Sequence, residues 1–357
     1  MAGLAERLIV DLRREVDRSV LRGRNGIRVL AGSGRTLVGR TPKDTVWSRD
    51  KVELWRYRRT EAPAPGVPLL LVMSLVTRTY IFDLLPGNSI VEKLLAAGFD
   101  VFLVDWGVPD ELEAHNTLET YVEGYLPEAL EAVRAESGAA GVNVLGYCLG
   151  GLLALLAVAQ DPRLPVRNLA LMATPVSFAG MGLPVSLIRT GRLDLDQLVD
   201  HTGNVPPGVL LNAFRTRNPT GELVQYANLL ENLWNDRYVR GYQALNMWIH
   251  DHIPFPGAAA RQVTEQLVRE DRLVEGRLRL SDRRVSLKRV KTPLLVVMAE
   301  TDDVVPPATA APAADLVGSR DVEVLRVPAG HVALVTGRTA DRVTIPGIVD
   351  WLRRHPE

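Results

Sequence analysis

The segment VNVLGYCLGGLLALLAVAQ (142–160) decides the fold. VNVLG (142–146) reads as a buried strand and GLLALLAVAQ (151–160) as a helix. Between them stands Gly146-Tyr147-Cys148-Leu149-Gly150-Gly151, a tight G-x-nucleophile-x-G bend in the strand–turn–helix context of a nucleophile elbow. Such a bend forces its middle residue into a strained backbone conformation. Side chains at the flanking glycine positions would collide with the neighbouring strand and helix. Cys148 then sits at a helix N-terminus, where the macrodipole and free N–H groups favour a thiolate. The N–H of Leu149 points toward the place where an oxyanion would form. A free cysteine is more often a small buried hydrophobe, so the residues that can partner Cys148 carry the weight.

The same rhythm extends outward. PLLLVMS (68–74), VFLVDWG (101–107), NLALMATP (168–175), TPLLVVMAETDD (292–303) and VEVLRVPAGH (322–331) are short apolar strands. Helical stretches separate them: one capped by Asn88 or Ser89 and ending at Gly98, one from Thr117 to about Arg134, and a last one near 340–354. Buried strands alternating with helices predict an α/β fold with a mostly parallel central sheet covered on both faces. TVWSRDKVELWRYRR (45–59) alternates instead and predicts an edge or antiparallel strand. Residues 176–288 break the rhythm, being helical, proline-punctuated and aromatic, and read as a cap inserted into the sheet domain. The expected organisation is an N-terminal helical segment (1–40), a core (41–175 and 289–357) and an inserted helical cap (176–288). Leu4, Leu8, Leu12, Val16 and Val20 give the N-terminal helix an apolar stripe that docks on the body or on a partner.

Composition removes whole classes. The 357 residues carry 42 Lys+Arg against 42 Asp+Glu, so no basic field exists to hold nucleic acid. One cysteine excludes a disulfide framework, and six scattered histidines do not suggest a structural zinc site. His250 and His252 resemble a zinc pair only superficially; no metal or cofactor is expected. Glu6 and Asp11 interrupt any signal-peptide core. The longest near-apolar run, Tyr147–Ala159, falls short of the ~20 residues of a spanning helix, so a cytoplasmic protein without a transmembrane segment is expected.

On an elbow fold, nucleophile, acid and base follow in chain order. The strand Leu294–Met298 runs into Glu300-Thr301-Asp302-Asp303, and an acid just past a strand's C-terminal end lies at the active edge of such a sheet. The strand Val322–Val327 ends in Pro328-Ala329-Gly330-His331. Asp302 or Asp303 can orient His331, which can reach Cys148. Helix capping is the plainer role for either aspartate taken singly.

These residues resemble a family. TPKDTVWSRDKVELWRY, LVTRTYIFDLLPGNSIVEKLLAAGFDVFLVDWGVPD, GYCLGG, MATPVSF, RLVEGRL, AETDDVVPP and GHVAL are similar to polyhydroxyalkanoate synthase catalytic subunits of the short, two-subunit kind (classes III and IV), within the α/β-hydrolase superfamily. The resemblance runs from about residue 40 to 350. It implies Cys148 as nucleophile, Asp302 as acid, His331 as base, and oxyanion donors at Leu149 and near Val76. Trp248, His250 and Tyr80 are expected to contact substrate. Thr77 stands where the family often has asparagine, Leu149 where short synthases commonly carry glutamine, and Val332-Ala333 follow His331.

The implied reaction polymerises (R)-3-hydroxyacyl units from coenzyme A into a polyester through an acyl-Cys148 thioester, with release of coenzyme A. Exchanging one thioester for another is nearly thermoneutral, which suits a cysteine better than a serine. The implied partners are the hydroxyacyl-CoA substrate, the nascent polyester, a second synthase subunit and further copies in a homo-oligomer, at the surface of polyester granules. Trp234, Tyr238, Tyr242, Trp248 and Phe255 suit either a water-excluding pocket or ordinary cap core. The basic stretch 272–291 suits either coenzyme A phosphates or a solvated strand pair. Two alternatives keep the fold: a cysteine-dependent thioesterase or ester hydrolase, motivated by Thr77 and Leu149, and a non-catalytic granule-associated subunit.

Overall fold

The computed structural model describes residues 15, 17–27, 38–59, 66–215 and 221–356. Eight strands form one sheet: β1 (Lys43–Arg49), β2 (Val52–Tyr57), β3 (Leu69–Val72), β4 (Val101–Asp105), β5 (Val142–Tyr147), β6 (Val166–Met172), β7 (Leu294–Ala299) and β8 (Val322–Val327). Their spatial order is β1-β2-β4-β3-β5-β6-β7-β8. All pairings from β4 to β8 are parallel; β1 and β2 add an antiparallel edge. The fold is that of the α/β hydrolases, as expected.

Alternation along each strand splits the core into two layers. Leu70, Val72, Phe102 and Val104 pack on one face, and Leu69, Leu71, Val101 and Leu103 on the other. Helix α1 (Ile90–Ala96) covers the second face; Ser89 caps it, its Oγ accepting from the Glu92 N–H at 3.1 Å. Helix α2 (Leu126–Ser137) covers the first face together with α3 (Leu149–Gln160). Every residue of α3 is buried, which explains why its sequence is apolar all round rather than amphipathic. Leu152, Leu153, Leu155 and Leu156 are fully buried, each contributing about 1.5–3 kcal/mol.

The stretch 45–59 departs from its reading as one strand. It is a hairpin, turning at Asp50 (φ 52°), with Arg49 paired to Val52. Alternation continues through the two-residue turn, so periodicity alone hid the break. Residues 176–288 lie between β6 and β7. They contribute short helices, helix α4 (Asp236–His250) and the two-residue strand pairs Asn204–Val205 with Phe255–Pro256 and Arg279–Leu280 with Arg283–Arg284. Helix α5 (Ile345–Arg354) closes the second face.

Residues 17–27 are helical, whereas Leu4, Leu8, Leu12 and Val16 lie outside the described residues. The described part of this helix docks by polar contacts. Arg18 lies 4.8 Å over the Trp234 ring, Arg24 pairs with Asp236, and buried Asn25 donates to the Leu233 carbonyl at 2.6 Å, while Val20 stays exposed. No described helix is long and apolar enough to cross a membrane.

The β5–α3 junction tolerates no side chains at its glycines. A Cβ on Gly151 would stand 2.0 Å from Thr174 Oγ1, one on Gly146 2.4 Å from the Gly151 Cα, and one on Gly150 2.4 Å from the Val72 and Met73 carbonyl oxygens. Gly151→Ala is expected to lower stability by about 1–3 kcal/mol by overpacking. Gly241→Ala, inside α4 with nothing within 4 Å of its Cβ, is expected to raise it by about 1 kcal/mol. Urea denaturation midpoints of the two variants check both signs.

Candidate active site

Cys148 stands between β5 and α3 with φ 54° and ψ −127°, a conformation that side chains rarely adopt. Its N–H donates to the Met172 carbonyl at 2.9 Å, and its carbonyl accepts from Gly151 and Leu152. The strain is thereby over-determined by neighbouring bonds.

The other expected residues arrive by strand register. β7 and β8 are parallel neighbours with Ala299 opposite Val327, so the loops that follow emerge side by side. The Thr301 N–H donates to the Ala329 carbonyl at 3.0 Å and ties them together. Three residues past Ala299 comes Asp302; four past Val327 comes His331. His331 Nδ1 and Asp302 Oδ2 are 2.8 Å apart, and since a carboxylate only accepts, Nδ1 carries the proton. The other carboxylate oxygen accepts from the Val304 and Val305 N–H groups at 2.8 and 2.7 Å. The Asp302 side chain is fully buried and that of His331 nearly so. Cys148 and His331 line the same cavity. Asp303 lines the neighbouring cavity, and Asp302 is the aspartate that meets the histidine.

Burial opposes charging of His331, but the Asp302 carboxylate and the Cys148 sulfur outweigh it and push its pKa up to about 10. A raised pKa favours the protonated imidazole beside the Asp302 carboxylate. The Tyr147 hydroxyl donates to the His331 carbonyl at 3.3 Å, and the two rings lie 5.0 Å apart.

The loop after β3 forms the facing wall. The Met73 carbonyl accepts from Trp106 Nε1 at 2.8 Å, the Val76 carbonyl from the Ile253 N–H at 3.2 Å, and the Arg78 carbonyl from Trp248 Nε1 at 2.8 Å. Gly150, having no Cβ, lets this loop touch the start of α3. Asp105 accepts from Thr79 Oγ1 and from the Gly107 N–H, and Gly107 (φ 72°) could bear no Cβ, since one would lie 2.5 Å from the Lys51 carbonyl. The Asp-Trp-Gly element of the sequence is thus a clamp on the loop carrying Val76. Sequence reasoning quoted this element but missed the function of Trp106.

A cavity of about 280 Å³ opens onto Cys148 and His331. Trp248 and His250 line it, with Ser74, Val76, Thr77, Leu211, Arg215, Tyr226, Tyr242, Asn246, Ile249 and Val304 among the other residues. Tyr80 is not in this lining; its hydroxyl donates to Asp251 Oδ2 at 3.0 Å, which holds it against the insertion instead. Of the five aromatic residues considered, only Tyr242 and Trp248 reach the cavity. Trp234 packs under Arg18, Phe255 is core, and Tyr238 sits a turn of α4 before Tyr242. His250 donates from Nδ1 to the Asn246 carbonyl at 2.7 Å, and its Nε2 accepts from Arg215 at 3.1 Å. The basic stretch 272–291 does not line the cavity. Its cations bind locally: Arg272 to Glu270, Arg277 to Glu275, Arg283 to Glu123, Lys288 to the Asp315 carbonyl.

A histidine whose folded pKa of about 10 exceeds its ordinary 6.5 binds its proton more tightly in the folded state. Its stabilising contribution is complete below pH 6.5 and is lost as pH rises toward 10. Asp302→Asn removes the main source of the elevation, so melting temperatures followed from pH 6 to 10 should fall less steeply in the variant than in the parent.

Comparison with known proteins agrees with this geometry. A family model described as alpha/beta hydrolase fold matches residues 79–337. The poly(3-hydroxyalkanoate) polymerase subunit PhaC of Allochromatium vinosum is 36% identical over 322 residues, which span 88% of this chain and 89% of that protein. The protein of the same name from Haloferax mediterranei is 34% identical over 90% of this chain, which spans 65% of that longer relative. Among solved structures, a hydrolase from Pseudomonas aeruginosa has the same fold with a TM-score of 0.53 at 17% identity, covering 88% of this chain and 99% of its own. The chain belongs to the α/β-hydrolase fold family and, within it, to the poly(3-hydroxyalkanoate) polymerase subunits.

Proposed function

We propose that this protein transfers (R)-3-hydroxyacyl groups from coenzyme A thioesters to a growing polyester. Cys148 is the nucleophile, His331 its acid–base partner and Asp302 the group that orients the imidazole. The observation that carries this reading is a cavity lined by both Cys148 and His331, with the Asp302 carboxylate 2.8 Å behind the imidazole. The relatives' activity, as their name states it, supplies the substrate class.

The Cys148 thiolate attacks the thioester carbonyl carbon, and the backbone N–H groups of Leu149 and Val76 receive the developing oxyanion. The carbon–sulfur bond to coenzyme A breaks. Coenzyme A leaves as a thiol, taking its proton from the His331 imidazolium, and the acyl group remains on Cys148. Neutral His331 then accepts the proton of a hydroxyl on the next hydroxyacyl unit or on the chain. The resulting alkoxide attacks the acyl-Cys148 carbonyl, an ester bond forms, and the thiolate returns beside the imidazolium. Water must stay out, since it would release the acid instead. Residues 176–288 serve as the cap that excludes it, contributing Trp248, Ile249 and Tyr242 to the cavity wall. A second subunit, a homo-oligomeric assembly and work at the surface of polyester granules complete the proposal. The first is suggested by the word subunit in the relatives' name.

Incubation with (R)-3-hydroxybutyryl-CoA is expected to release coenzyme A and deposit solvent-extractable polyester. Cys148→Ala should cut coenzyme A release by at least ~10³-fold. Release of free 3-hydroxybutyrate with no polymer would establish a thioesterase instead, and an unimpaired Cys148→Ala would remove the cysteine from the chemistry.

A further inference from the structure

Two hydroxyls in the cavity wall have no hydrogen-bond partner among the described residues. Ser74 is 2% exposed and Thr77 8%, and both line the cavity that holds Cys148 and His331. Among the described residues neither Ser74 Oγ nor Thr77 Oγ1 has a hydrogen-bond partner. A buried hydroxyl left unpaired is destabilising, and alanine or valine in its place would not be. The surrounding loop makes the omission conspicuous. The carbonyls of Met73, Val76 and Arg78 are each engaged by a donor from outside the loop. The backbone is pinned while two side chains of cavity-lining residues keep an unused donor and acceptor.

A ligand that completes them must bring a polar group to the wall next to Cys148. This inference rests on the hydroxyacyl reading above. An acyl group carried by Cys148 has a carbonyl, served there by backbone N–H groups, and one other polar atom near it, the hydroxyl on its third carbon. Ser and Thr hydroxyls both donate and accept, so either can pair with an alcohol in whichever sense the second requires. We propose that Ser74 and Thr77 form the recognition site for the 3-hydroxyl of the acyl group on Cys148, and so select 3-hydroxyacyl over plain acyl thioesters. Loss of one partner leaves the substrate hydroxyl buried and unpaired, whereas a substrate lacking the hydroxyl loses nothing.

The test compares single-turnover coenzyme A release from (R)-3-hydroxybutyryl-CoA and from butyryl-CoA. The parent is measured beside Ser74→Ala and Thr77→Val, each of which keeps close to the original volume. The parent should prefer the hydroxyacyl thioester. Each variant should lose ~10-fold or more with it while staying within about twofold with butyryl-CoA. Melting temperatures should hold or rise in both variants, because a buried unpaired hydroxyl has been removed. Equal slowing of both thioesters, an unchanged preference, or a fall in melting temperature accompanying any loss would overturn the proposal and leave the hydroxyls structural. Failure of the parent to release coenzyme A from either thioester would instead overturn the hydroxyacyl reading beneath it.

Discussion

The closeness of β5 to the first turn of α3 governs this molecule. Gly146 and Gly151 approach so nearly that a single Cβ on either would overlap its neighbours, and Gly150 lies against the carbonyls of Val72 and Met73. Only that contact bends the chain sharply enough to hold Cys148 at φ 54°. The cost of the strained residue is met by the burial of α3, whose twelve residues are all buried. A helix apolar on every side is thus the counterpart of a cysteine in an unfavourable conformation.

From this junction the rest of the site follows by register. Parallel β7 and β8 start their exits level at Ala299 and Val327, so three further residues on one and four on the other suffice to bring a carboxylate to an imidazole. The charges are paired deep in the protein, where isolated ones would be costly. Asp302 faces two backbone N–H groups as well as His331, and no oxygen of that carboxylate is left without a donor.

Much of this was legible in the sequence. The six apolar runs, the elbow glycines and the Cys–Asp–His order identified the sheet, the turn and the three residues that the structure brings together. Choosing between Asp302 and Asp303 was not possible from residue type, since adjacent positions in a turn differ only in direction. The placement of Tyr80 was not legible for the same reason: a short 3₁₀ turn, Thr79–Asp83, directs its hydroxyl to Asp251. The hairpin at Asp50 was hidden because alternation continues across a two-residue turn. The polar contacts of residues 17–27 with Leu233, Trp234 and Asp236 carry no periodic signal in the sequence. Ser74 gave no signal and Thr77 only a departure from the family's usual residue, because an unsatisfied hydroxyl is a property of surroundings and not of spacing.

The loop carrying Val76 is held by Trp106 from the sheet and by Trp248 and Ile253 from the insertion. Any outward swing of the segment 248–253 would sever the last two bonds together. The placement of that loop is therefore shared between the sheet and the segment 248–253, and neither alone determines it.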